Sequence, residues 1–592
     1  MVGRTGGMRL PTPFRSILGI RLVLAMALAG CSTITGASSD PFTGLADAYA
    51  ARDAAAAAAN YTSDAKVVYA YDGAPSEEYK GRSEVQASFV AFFGGIDRTV
   101  PLDLNFRLRK REGRRAWGVY RLRLGPSETS YGTFDVILSD DGFFASDRSA
   151  SATQTDFEEL PGPLLVRPNE SGLDRTYYGL LAGRYRLPDD CTLVITRSIA
   201  RLFVRNTCDQ SWRGLNRVSG LEWTGGTSVL SAATTARLQF APVSSAPSST
   251  VKIEVEGSTS DAVRMTPYAT RSVEFQSADG TRLSGTLYVP DGLRAKAPAT
   301  VLVHGSGPQD RDGYASIIAV LADAFAAEGR VVLTYDKRGS GSSQGNGDAA
   351  GFDVLARDAR AAMEYARGLD AVAPDKVGLA GSSQAGWVVA KAIADGADPA
   401  DVFLLGAAGA AFTVREQNLY NTDVRMSCAG LAKPLREMAL GQQAAFFDAL
   451  ADRTKAPRLD VLTTAATKEP LIRDWLFPGS EGFTQRDAWF TVLDPDFDPL
   501  PVWRDYAGKM MFVFSEFDDS TDTSAAIERL RDGRVVVDVI PGAQHLGLNA
   551  SSMCHGDLEA RTSFHPILFE RIATFARGDA GQPAHRNYDL PK

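Results

Sequence analysis

The spacing of apolar and polar positions changes near residue 270, and the C-terminal half carries the stronger pattern. Apolar runs without polar alternation indicate strands buried on both faces, and the stretches between them have the spacing of amphipathic helices. We therefore predict an α/β domain over residues 268–578, with helices covering both faces of a mostly parallel sheet. The runs that carry this pattern are ATVLVHG, IIAVLADAFAAEG, RVVLTYD, LARDARAAMEYARGL, KVGLAG, SQAGWVVAKAIADG and DVFLLGAAG.

The alternation of strands and helices stops from about residue 412 to 505. EQNLY, PLREMALGQQAAFFDALADR and EPLIRDWLF indicate helices without intervening strands. The pattern resumes with KMMFVFSE and VVVDVIPG and ends in a helix near Arg577. Residues 412–505 are therefore predicted to be a helical insertion into the α/β domain.

Two smaller domains are predicted before the sheet. Residues 40–152 begin with an Ala-rich helix near Asp40 and continue as strand, helix and several alternating strands, an α+β order that resembles the cone-shaped nuclear transport factor-like fold. Residues 170–265 contain short alternating strands separated by turn residues, which predicts a small β-sandwich or barrel. The strands predicted there are GRYRL, TLVIT, ARLFV, LEWTGG, ARLQFA and VKIEVE.

The first 31 residues have the composition of a targeting segment. Several arginines precede the short apolar run LVLAMALA, which ends in Leu28-Ala29-Gly30-Cys31. This ending resembles the lipobox of bacterial lipoproteins, which implies that Cys31 is lipidated and anchors the protein to a membrane of the cell envelope. Ser32 follows the cysteine, so we expect the periplasmic side of the outer membrane. The alternative is an ordinary signal peptide with an incidental cysteine.

Charge and cysteine content narrow the possible functions. The chain has 592 residues and a formal net charge of −8, with no basic patch, so nucleic-acid binding is not expected. No Cys/His cluster has metal-ligand spacing, and neither a metal nor a cofactor is expected. In an exported protein, an even number of remaining cysteines suggests disulfides: Cys191 with Cys208 across a hairpin, and then Cys428 with Cys554. Four buried free thiols are the alternative.

The segment KVGLAGSSQAGW combines a short strand, a tight turn and the start of a helix. Its turn has the form G-x-S-x-G with Ala385 in the last position, and Ser383 is the candidate nucleophile. Small residues are needed two positions before and after this serine, because larger side chains would collide across the turn. The turn also directs the backbone N–H of Gln384 towards a developing oxyanion.

A serine hydroxyl needs a base, and the chain has five histidines. His545 follows a strand and a Pro-Gly turn in VVVDVIPGAQHLG, which carries it over the carboxyl edge of the sheet. A third group should orient this base, and the end of the preceding strand offers four carboxylates. These are Glu516, Asp518, Asp519 and Asp522.

The motifs GSGPQDRDG, YDKRGSGSS, GSSQAGW and REQNLY resemble the serine aminopeptidase-like and dienelactone hydrolase-like branches of the α/β-hydrolase superfamily. The resemblance covers about residues 270–578. It implies the chain order Ser, Asp, His, which places His304 too early. The run Ser-Glu-x-Asp after the strand resembles the Gly-Glu-x-Asp run of many α/β-hydrolases, which selects Asp518, with Asp519 as runner-up. It also implies an oxyanion hole formed by the backbone N–H groups of Ser306 and Gln384, and a lid at residues 412–505.

The resemblance also bears on the charged residues of two of these motifs. Asp336 and Arg338 of YDKRGSGSS are expected to brace the loops around the nucleophile. Asp310, Arg311 and Asp312 of GSGPQDRDG could pair with one another or line the pocket. We therefore expect these charged residues either to stabilise the loops of the active site or to line its pocket.

These parts predict a serine hydrolase that cleaves ester bonds of a small acyl substrate through an acyl-enzyme. An exported peptidase with the same triad, acting on short peptides, is the first alternative. An aminopeptidase would need acidic groups for the substrate amine, for which Glu416, Asp423 and Glu437 are candidates. The second alternative is a non-catalytic, lipid-anchored binding protein whose N-terminal domains recognise a ligand or an envelope partner.

Overall fold

Three β-sheets organise the described part of the chain: a six-stranded sheet, a closed barrel and a nine-stranded sheet, in that order. We call the corresponding units the N-terminal unit, the barrel and the C-terminal domain. The predicted signal segment 1–31 and Cys31 lie outside the described residues. The computed structural model describes residues 41–70, 77–94, 102–124, 128–151, 178–197, 202–217, 221–227, 235–243, 247–307, 309–347, 350–480, 494–531, 534–554 and 562–578.

The N-terminal unit begins with two helices where the sequence predicted one. Arg52 adopts a positive φ of 53° and ends the first helix, and the Asp53 side chain accepts the N–H of Ala56 to cap the second. The prediction of a continuous helix was therefore wrong, because Asp53 favours a helix start over a helix interior. The helices are α1 (Pro41–Ala51), α2 (Ala54–Ala59) and α3 (Gly81–Gly94).

The sheet of this unit has the order β2-β1-β6-β5-β4-β3. Its pairs are antiparallel except β1 with β6, since the meander returns its last strand beside β1 in the same direction. Phe42 of α1 contacts the rings of Phe106, Phe134 and Phe144 at centroid distances of 5.2, 5.4 and 5.1 Å. The strands are β1 (Tyr61–Ala70), β2 (Glu77–Lys80), β3 (Leu102–Glu112), β4 (Arg115–Leu124), β5 (Glu128–Leu138) and β6 (Phe144–Ser151).

The β-rich region is a closed barrel, which resolves the choice between sandwich and barrel. Two strands were not anticipated, β10 and β14, because both are rich in polar residues and lack clear alternation. Cys191 and Cys208 form a disulfide across the β8–β9 hairpin, the first of the two expected pairs. The strands are β7 (Gly183–Arg186), β8 (Thr192–Arg197), β9 (Leu202–Asn206), β10 (Trp212–Arg217), β11 (Glu222–Gly225), β12 (Ala236–Phe240), β13 (Thr250–Val255) and β14 (Ser258–Met265).

Polar and aromatic contacts fix the barrel to the C-terminal domain. The buried carboxylate of Asp323 pairs with Arg184 at 3.0 Å and with Arg205 at 3.3 Å, both on barrel strands. Trp212 of the barrel contacts Phe564 with 4.7 Å between the ring centroids and an angle of 41° between the ring planes. A buried charge must be paired to be tolerated, so these ion pairs fix the orientation of the barrel.

The C-terminal domain has the predicted α/β architecture. Its strands follow the order β15-β16-β18-β17-β19-β20-β21-β22-β23. The strands from β18 to β22 in this order are parallel to one another, and β15, β16 and β23 pair antiparallel at the two edges. The strands are β15 (Tyr268–Gln276), β16 (Arg282–Pro290), β17 (Ala297–Val303), β18 (Val331–Tyr335), β19 (Val372–Ser382), β20 (Asp401–Leu405), β21 (Lys509–Phe517), β22 (Val536–Gln544) and β23 (Leu548–Asn549).

Helices cover both faces of this sheet. One apolar core contains α5, α6 and α11, and the other contains α4 and α12. The parallel strands between them are buried on both sides, as their continuous apolar sequences predict. The α-helices of the domain are α4 (Ile317–Ala327), α5 (Phe352–Arg367), α6 (Ala385–Ala394), α7 (Val414–Cys428), α8 (Lys433–Ala451), α9 (Ala456–Ala466), α10 (Leu500–Asp505), α11 (Thr523–Leu530) and α12 (Pro566–Arg577).

Helices α7 to α10 form the insertion between β20 and β21, and we call them the lid. Thr413 caps α7 in a reciprocal pair with Glu416, the residue three positions later. A second disulfide joins Cys428 at the end of α7 to Cys554, which follows β23. Among the described helices, none combines the length and apolar composition needed to cross a membrane.

Candidate active site

Ser383 lies on the sharp turn between β19 and α6. Its φ is +55°, a conformation that L-residues rarely adopt and that strained functional turns often contain. A side chain at Gly381 would stand 2.4 Å from the Ala385 Cβ and 2.6 Å from the Val303 carbonyl oxygen. Glycine at 381 is therefore what allows Ala385 to occupy the last position of the motif.

Gly386 follows Ala385 at the start of α6 and lies against the backbone of Gly409. A Cβ there would meet the Gly409 backbone at 2.8 Å, and a Cβ at Gly409 would meet the Trp387 nitrogen at 2.2 Å. The two glycines allow the start of α6 to pack directly against the short turn after β20. Gly386 thus serves close packing, which the motif alone does not reveal.

His545 and Asp518 are joined directly at the carboxyl ends of β22 and β21. His545 Nδ1 lies 2.9 Å from Asp518 Oδ1 and 3.0 Å from Oδ2. The Asp518 side chain is 0% exposed, and its Oδ1 also accepts the backbone N–H groups of Ser520 and Thr521. With the proton on Nδ1, the Nε2 atom of His545 is left as an acceptor, which is the form a general base requires.

The other carboxylates near the end of β21 have separate partners. Glu516 accepts the N–H of Gly542, Asp519 accepts the hydroxyl of Ser520, and Asp522 caps α11 by accepting the N–H of Ala525. None of these hydrogen bonds involves His545. The geometry therefore favours Asp518 over the runner-up Asp519 as the partner of the histidine.

Gly406, at the end of β20, connects the serine turn with the His–Asp pair. The Ser383 N–H donates to the Leu405 carbonyl oxygen at 3.1 Å. A Cβ at Gly406 would lie 3.1 Å from His545 Nδ1 and 3.4 Å from Asp518 Oδ2. The three predicted residues thus meet at one edge of the sheet, on either side of the Leu405–Gly406 peptide.

The loop after β17 lies against the serine turn. A Cβ at Gly305 would contact the Ser383 Cβ at 3.5 Å, and the neighbouring Ser306 is exposed at the surface of the site. Gln384 is buried at the N-terminus of α6, where backbone N–H groups of a helix are unsatisfied. The two residues expected to supply the oxyanion donors thus belong to segments next to Ser383.

Lys337 is a buried residue beside the serine turn that no sequence pattern had predicted. Its Nζ lies 3.0 Å from the carbonyl oxygens of both Gly305 and Gly307, and 2.7 Å from Gln384 Oε1. Burial lowers its pKa to about 7. The only sequence signal is its place inside YDKRGSGSS, between two residues that were selected.

The charges in the loops after β17 and β18 pair across segments. Arg311 binds the buried Asp336 at 2.7 Å, and Arg338 forms a short ion pair with Asp358 of α5. Asp312 pairs with Arg197 of the barrel at 3.4 Å. Arg311 and Asp312 thus pair with residues of other segments rather than with each other, while Asp310 accepts the backbone N–H groups of Asp312 and Gly313 within its own loop.

His304 occupies a structural position at the end of β17. It is 2% exposed and packs edge-on against the Tyr335 ring at a centroid distance of 4.9 Å. Burial, together with the nearby charge of Lys337, lowers its pKa to about 3. A histidine that stays neutral inside the core is not placed to act as the base for Ser383.

Helix α7 of the lid holds the loop that follows Asp518. Tyr420 donates to the Asp518 carbonyl oxygen at 3.1 Å, Asn421 to that of Asp519 at 2.8 Å, and Gln417 to that of Ser520 at 3.1 Å. Gln417 and Tyr420 belong to the REQNLY motif, and Asn421 is the residue after it. The motif therefore helps to position the loop that carries Asp518.

The acidic residues proposed for binding a substrate amine are each paired with a cation. Glu416 pairs with Arg529 at 2.7 Å, Asp423 with Arg436 at 2.6 Å and Glu437 with Lys433 at 3.8 Å. They lie in three separate ion pairs rather than in one acidic cluster. In the described part of the chain, no group of three or more His, Cys, Asp or Glu side chains is placed to hold a metal ion.

Two curated relatives share limited sequence with this chain. An uncharacterized protein of Mycobacterium tuberculosis strain H37Rv is 35% identical over 136 residues, which are 23% of this chain and 45% of that protein. The quorum-quenching protein AidA of Acinetobacter baumannii is 34% identical over 122 residues, 20% of this chain and 38% of that protein. The chain thus spans less than half the length of either relative.

A family model and a solved structure add to this comparison. The crystal structure of the alpha/beta hydrolase GrgF from Penicillium sp. sh18 has 20% sequence identity and a TM-score of 0.33, covering 52% of this chain and 99% of that one. The model of the alpha/beta hydrolase family matches residues 300–553, which contain the serine turn, the His–Asp pair and the lid. Together with the observed sheet order, this match shows that the C-terminal part of this chain is an α/β-hydrolase domain.

Proposed function

We propose that this domain is a serine hydrolase that cleaves ester bonds through an acyl-enzyme formed on Ser383. The observation that carries the proposal is the hydrogen bond of 2.9 Å between His545 Nδ1 and Asp518, beside a serine held at φ +55°. A base oriented by a buried carboxylate, next to a half-buried serine on a sharp turn, is what nucleophilic acyl transfer requires.

The reaction follows from the roles of these groups. His545 Nε2 takes the proton of the Ser383 hydroxyl as its oxygen attacks the acyl carbon. The backbone N–H groups of Ser306 and Gln384 hold the resulting oxyanion. His545 then donates its proton to the leaving alcohol, and in the second half it activates a water molecule that releases the acyl group.

Asp518 stabilises the imidazolium that forms in each half-reaction. Its position is fixed by the N–H groups of Ser520 and Thr521 and by the clamp of α7 on the same loop. Because these bonds exist before substrate binds, little reorganisation is needed when charge develops. The lid therefore supports the acid of the triad as well as covering the sheet edge.

The separate pairing of Glu416, Asp423 and Glu437 gives no support to an amine-binding acidic cluster. We therefore propose ester bonds rather than the amino ends of peptides as the target. The name of one relative, a quorum-quenching protein, makes bacterial signalling molecules a reasonable class to include in a substrate screen.

The test compares wild-type protein with Ser383→Ala on p-nitrophenyl esters of increasing chain length and on aminoacyl-naphthylamides. We expect ester turnover and fluorophosphonate labelling in the wild type and neither in the variant. Ser258→Ala, an exposed serine on the barrel, is the matched control and should keep both. Labelling that survives in Ser383→Ala would refute the nucleophile, and naphthylamide turnover without ester turnover would refute the substrate class.

A further inference from the structure

The ammonium of Lys337 links the two segments that carry the expected oxyanion donors. Gly305 and Gly307, whose carbonyl oxygens it binds, stand on either side of Ser306. Its third acceptor is the side chain of Gln384, the other donor residue. One side chain thus contacts the loop after β17 and the start of α6 at the same time.

An ammonium has three N–H donors, and Lys337 uses them on three neutral oxygens. The charged side chains nearby have other partners. Asp336 binds Arg311 and the N–H of Ser342, and Arg338 binds Asp358 and Asp279. Burying a cation without a carboxylate partner costs stability, so a lysine at this position favours a functional role over a purely structural one.

We propose that Lys337 is a positioning residue that holds the backbone N–H groups of Ser306 and Gln384 at the spacing required to bind the oxyanion. The proposal rests on the ester hydrolase function proposed above. Gly305 and Gly307 are anchored through their carbonyl groups, which leaves the intervening Ser306 N–H free to point into the site. The positive charge of the Lys337 ammonium, bound to this loop, also favours the negative charge that develops on the oxyanion.

This role predicts a distinct pH dependence. A neutral amine has only two N–H donors and no charge, so one of the three contacts is lost when Lys337 deprotonates. His304, directly after β17, is the titratable group beside it, and its low pKa keeps it neutral throughout the working range. Asp336 and Arg338 flank it in the same loop, and they pair with Arg311 and Asp358 respectively. We therefore expect kcat to fall as the pH rises above about 7, where Lys337 loses its proton.

The test substitutes Lys337→Met in the full-length protein and measures kcat and KM with p-nitrophenyl acetate. A small misplacement of catalytic groups costs up to about 100-fold in rate, so we expect kcat to fall by about 10- to 100-fold with KM changed less than threefold. The Ki of a trifluoromethyl ketone, whose adduct places an oxyanion in the hole, should rise by the same factor. The alkaline decline of kcat should disappear.

Lys391→Met is the matched control, because Lys391 is also mostly buried but pairs with Asp353 and Asp494 away from the loop. It should keep kcat within about twofold. If Lys337→Met does not fold, Gln384→Met removes one of the three acceptors while leaving the backbone N–H in place, and it should lower kcat in the same direction.

Two results would overturn the role of Lys337. One is a folded Lys337→Met protein with wild-type kcat and inhibitor affinity. The other is a loss of activity that is proportional to a drop in melting temperature, while the Ki of the trifluoromethyl ketone and the decline of kcat at high pH stay unchanged. Either result leaves the proposed function standing if Ser383→Ala is inert and the wild type is active. A wild type without ester turnover would instead reject the function itself.

Discussion

Arg197 of the barrel and Asp312 of the α/β-hydrolase domain form an ion pair at 3.4 Å, and the carboxylate is 4% exposed. Asp312 belongs to the loop that continues from Gly305 and Ser306. Beside this pair, Thr196 and Ser316 are 2.7 Å apart at their hydroxyl oxygens. The barrel is therefore in contact with the segment that carries half of the expected oxyanion hole.

Replacing Arg197 by leucine should destabilise the protein and lower its activity. The substitution leaves the buried Asp312 without this cation, which costs about 2–3 kcal/mol in the free energy of unfolding. Urea denaturation measures the loss, and kcat with p-nitrophenyl acetate should fall several-fold as the loop loses its contact.

Arg237→Leu is the control for this prediction. Arg237 lies on the same barrel but pairs with Glu222 at the surface, with 44% of its side chain exposed. Such pairs contribute about 0–1 kcal/mol, so stability and kcat should barely change. Equal effects of the two substitutions would show that the barrel has no particular influence on the loop.

Asp518→Asn should lower kcat by about 1,000- to 10,000-fold with little change in KM. An amide in place of the carboxylate favours the wrong tautomer of His545 and no longer stabilises its charged form. Asp519→Asn, one position later, should stay within about threefold of wild type because its carboxylate bonds to Ser520. A large loss in Asp519→Asn with an active Asp518→Asn would reverse the assignment of the acid.

The position of the serine turn and of the His–Asp pair could be predicted because each depends on short-range sequence. Gly381 and Ala385 must be small for local steric reasons, and Asp518 and His545 each follow a strand that the apolar pattern identifies. The carboxyl ends of neighbouring parallel strands meet at one edge, so the topology brings these residues together. The α/β class of the domain was confirmed for the same reason.

Other features depend on contacts that sequence spacing does not encode. Lys337 has acceptors on two separate segments, and Arg197 meets Asp312 only because the barrel docks on the domain. Strand β14, with the sequence STSDAVRM, closes the barrel through its pairing with β13 and β7 rather than through its own alternation. The break before Asp53 could have been anticipated, since aspartate is a common helix cap.

Removal of the Cys428–Cys554 disulfide should reduce both stability and activity. The bond closes a segment of 126 residues and ties the end of α7 to the chain that follows His545. A loop of this length corresponds to about 4–5 kcal/mol in the chain-entropy description of disulfides. The double substitution of both cysteines by serine, followed by urea denaturation and kinetic assays, measures the two effects.

The Cys191–Cys208 bond supplies the comparison. It closes 17 residues, for which about 3 kcal/mol is expected, and both of its cysteines belong to the barrel. Its removal should destabilise the protein while kcat of the folded fraction is unchanged. If both double substitutions affect kcat equally, the lid disulfide does not act on the site.

Asp147 should make the stability of the protein fall as pH rises. Burial raises the pKa of its carboxyl to about 6 in the folded protein, from an ordinary value of 3.8. The folded state therefore binds more protons than the unfolded state between these values, and the stabilisation present at low pH is lost as the pH passes through 6. From pH 5 to pH 8 this group should cost about 1 kcal/mol.

Asp147→Asn tests this assignment because the amide keeps an oxygen that can accept the hydroxyl of Tyr61, which lies 2.8 Å from the carboxylate. Urea denaturation of both proteins at pH 5 and pH 8 should show a smaller pH-dependent loss in the variant. Asp140→Asn, whose side chain is 89% exposed, should behave as the wild type does. If the free energy of unfolding differs between pH 5 and pH 8 by the same amount in wild type and Asp147→Asn, another group causes the pH dependence. The carboxyl of Asp147, hydrogen-bonded to Tyr61, would then not titrate between these pH values.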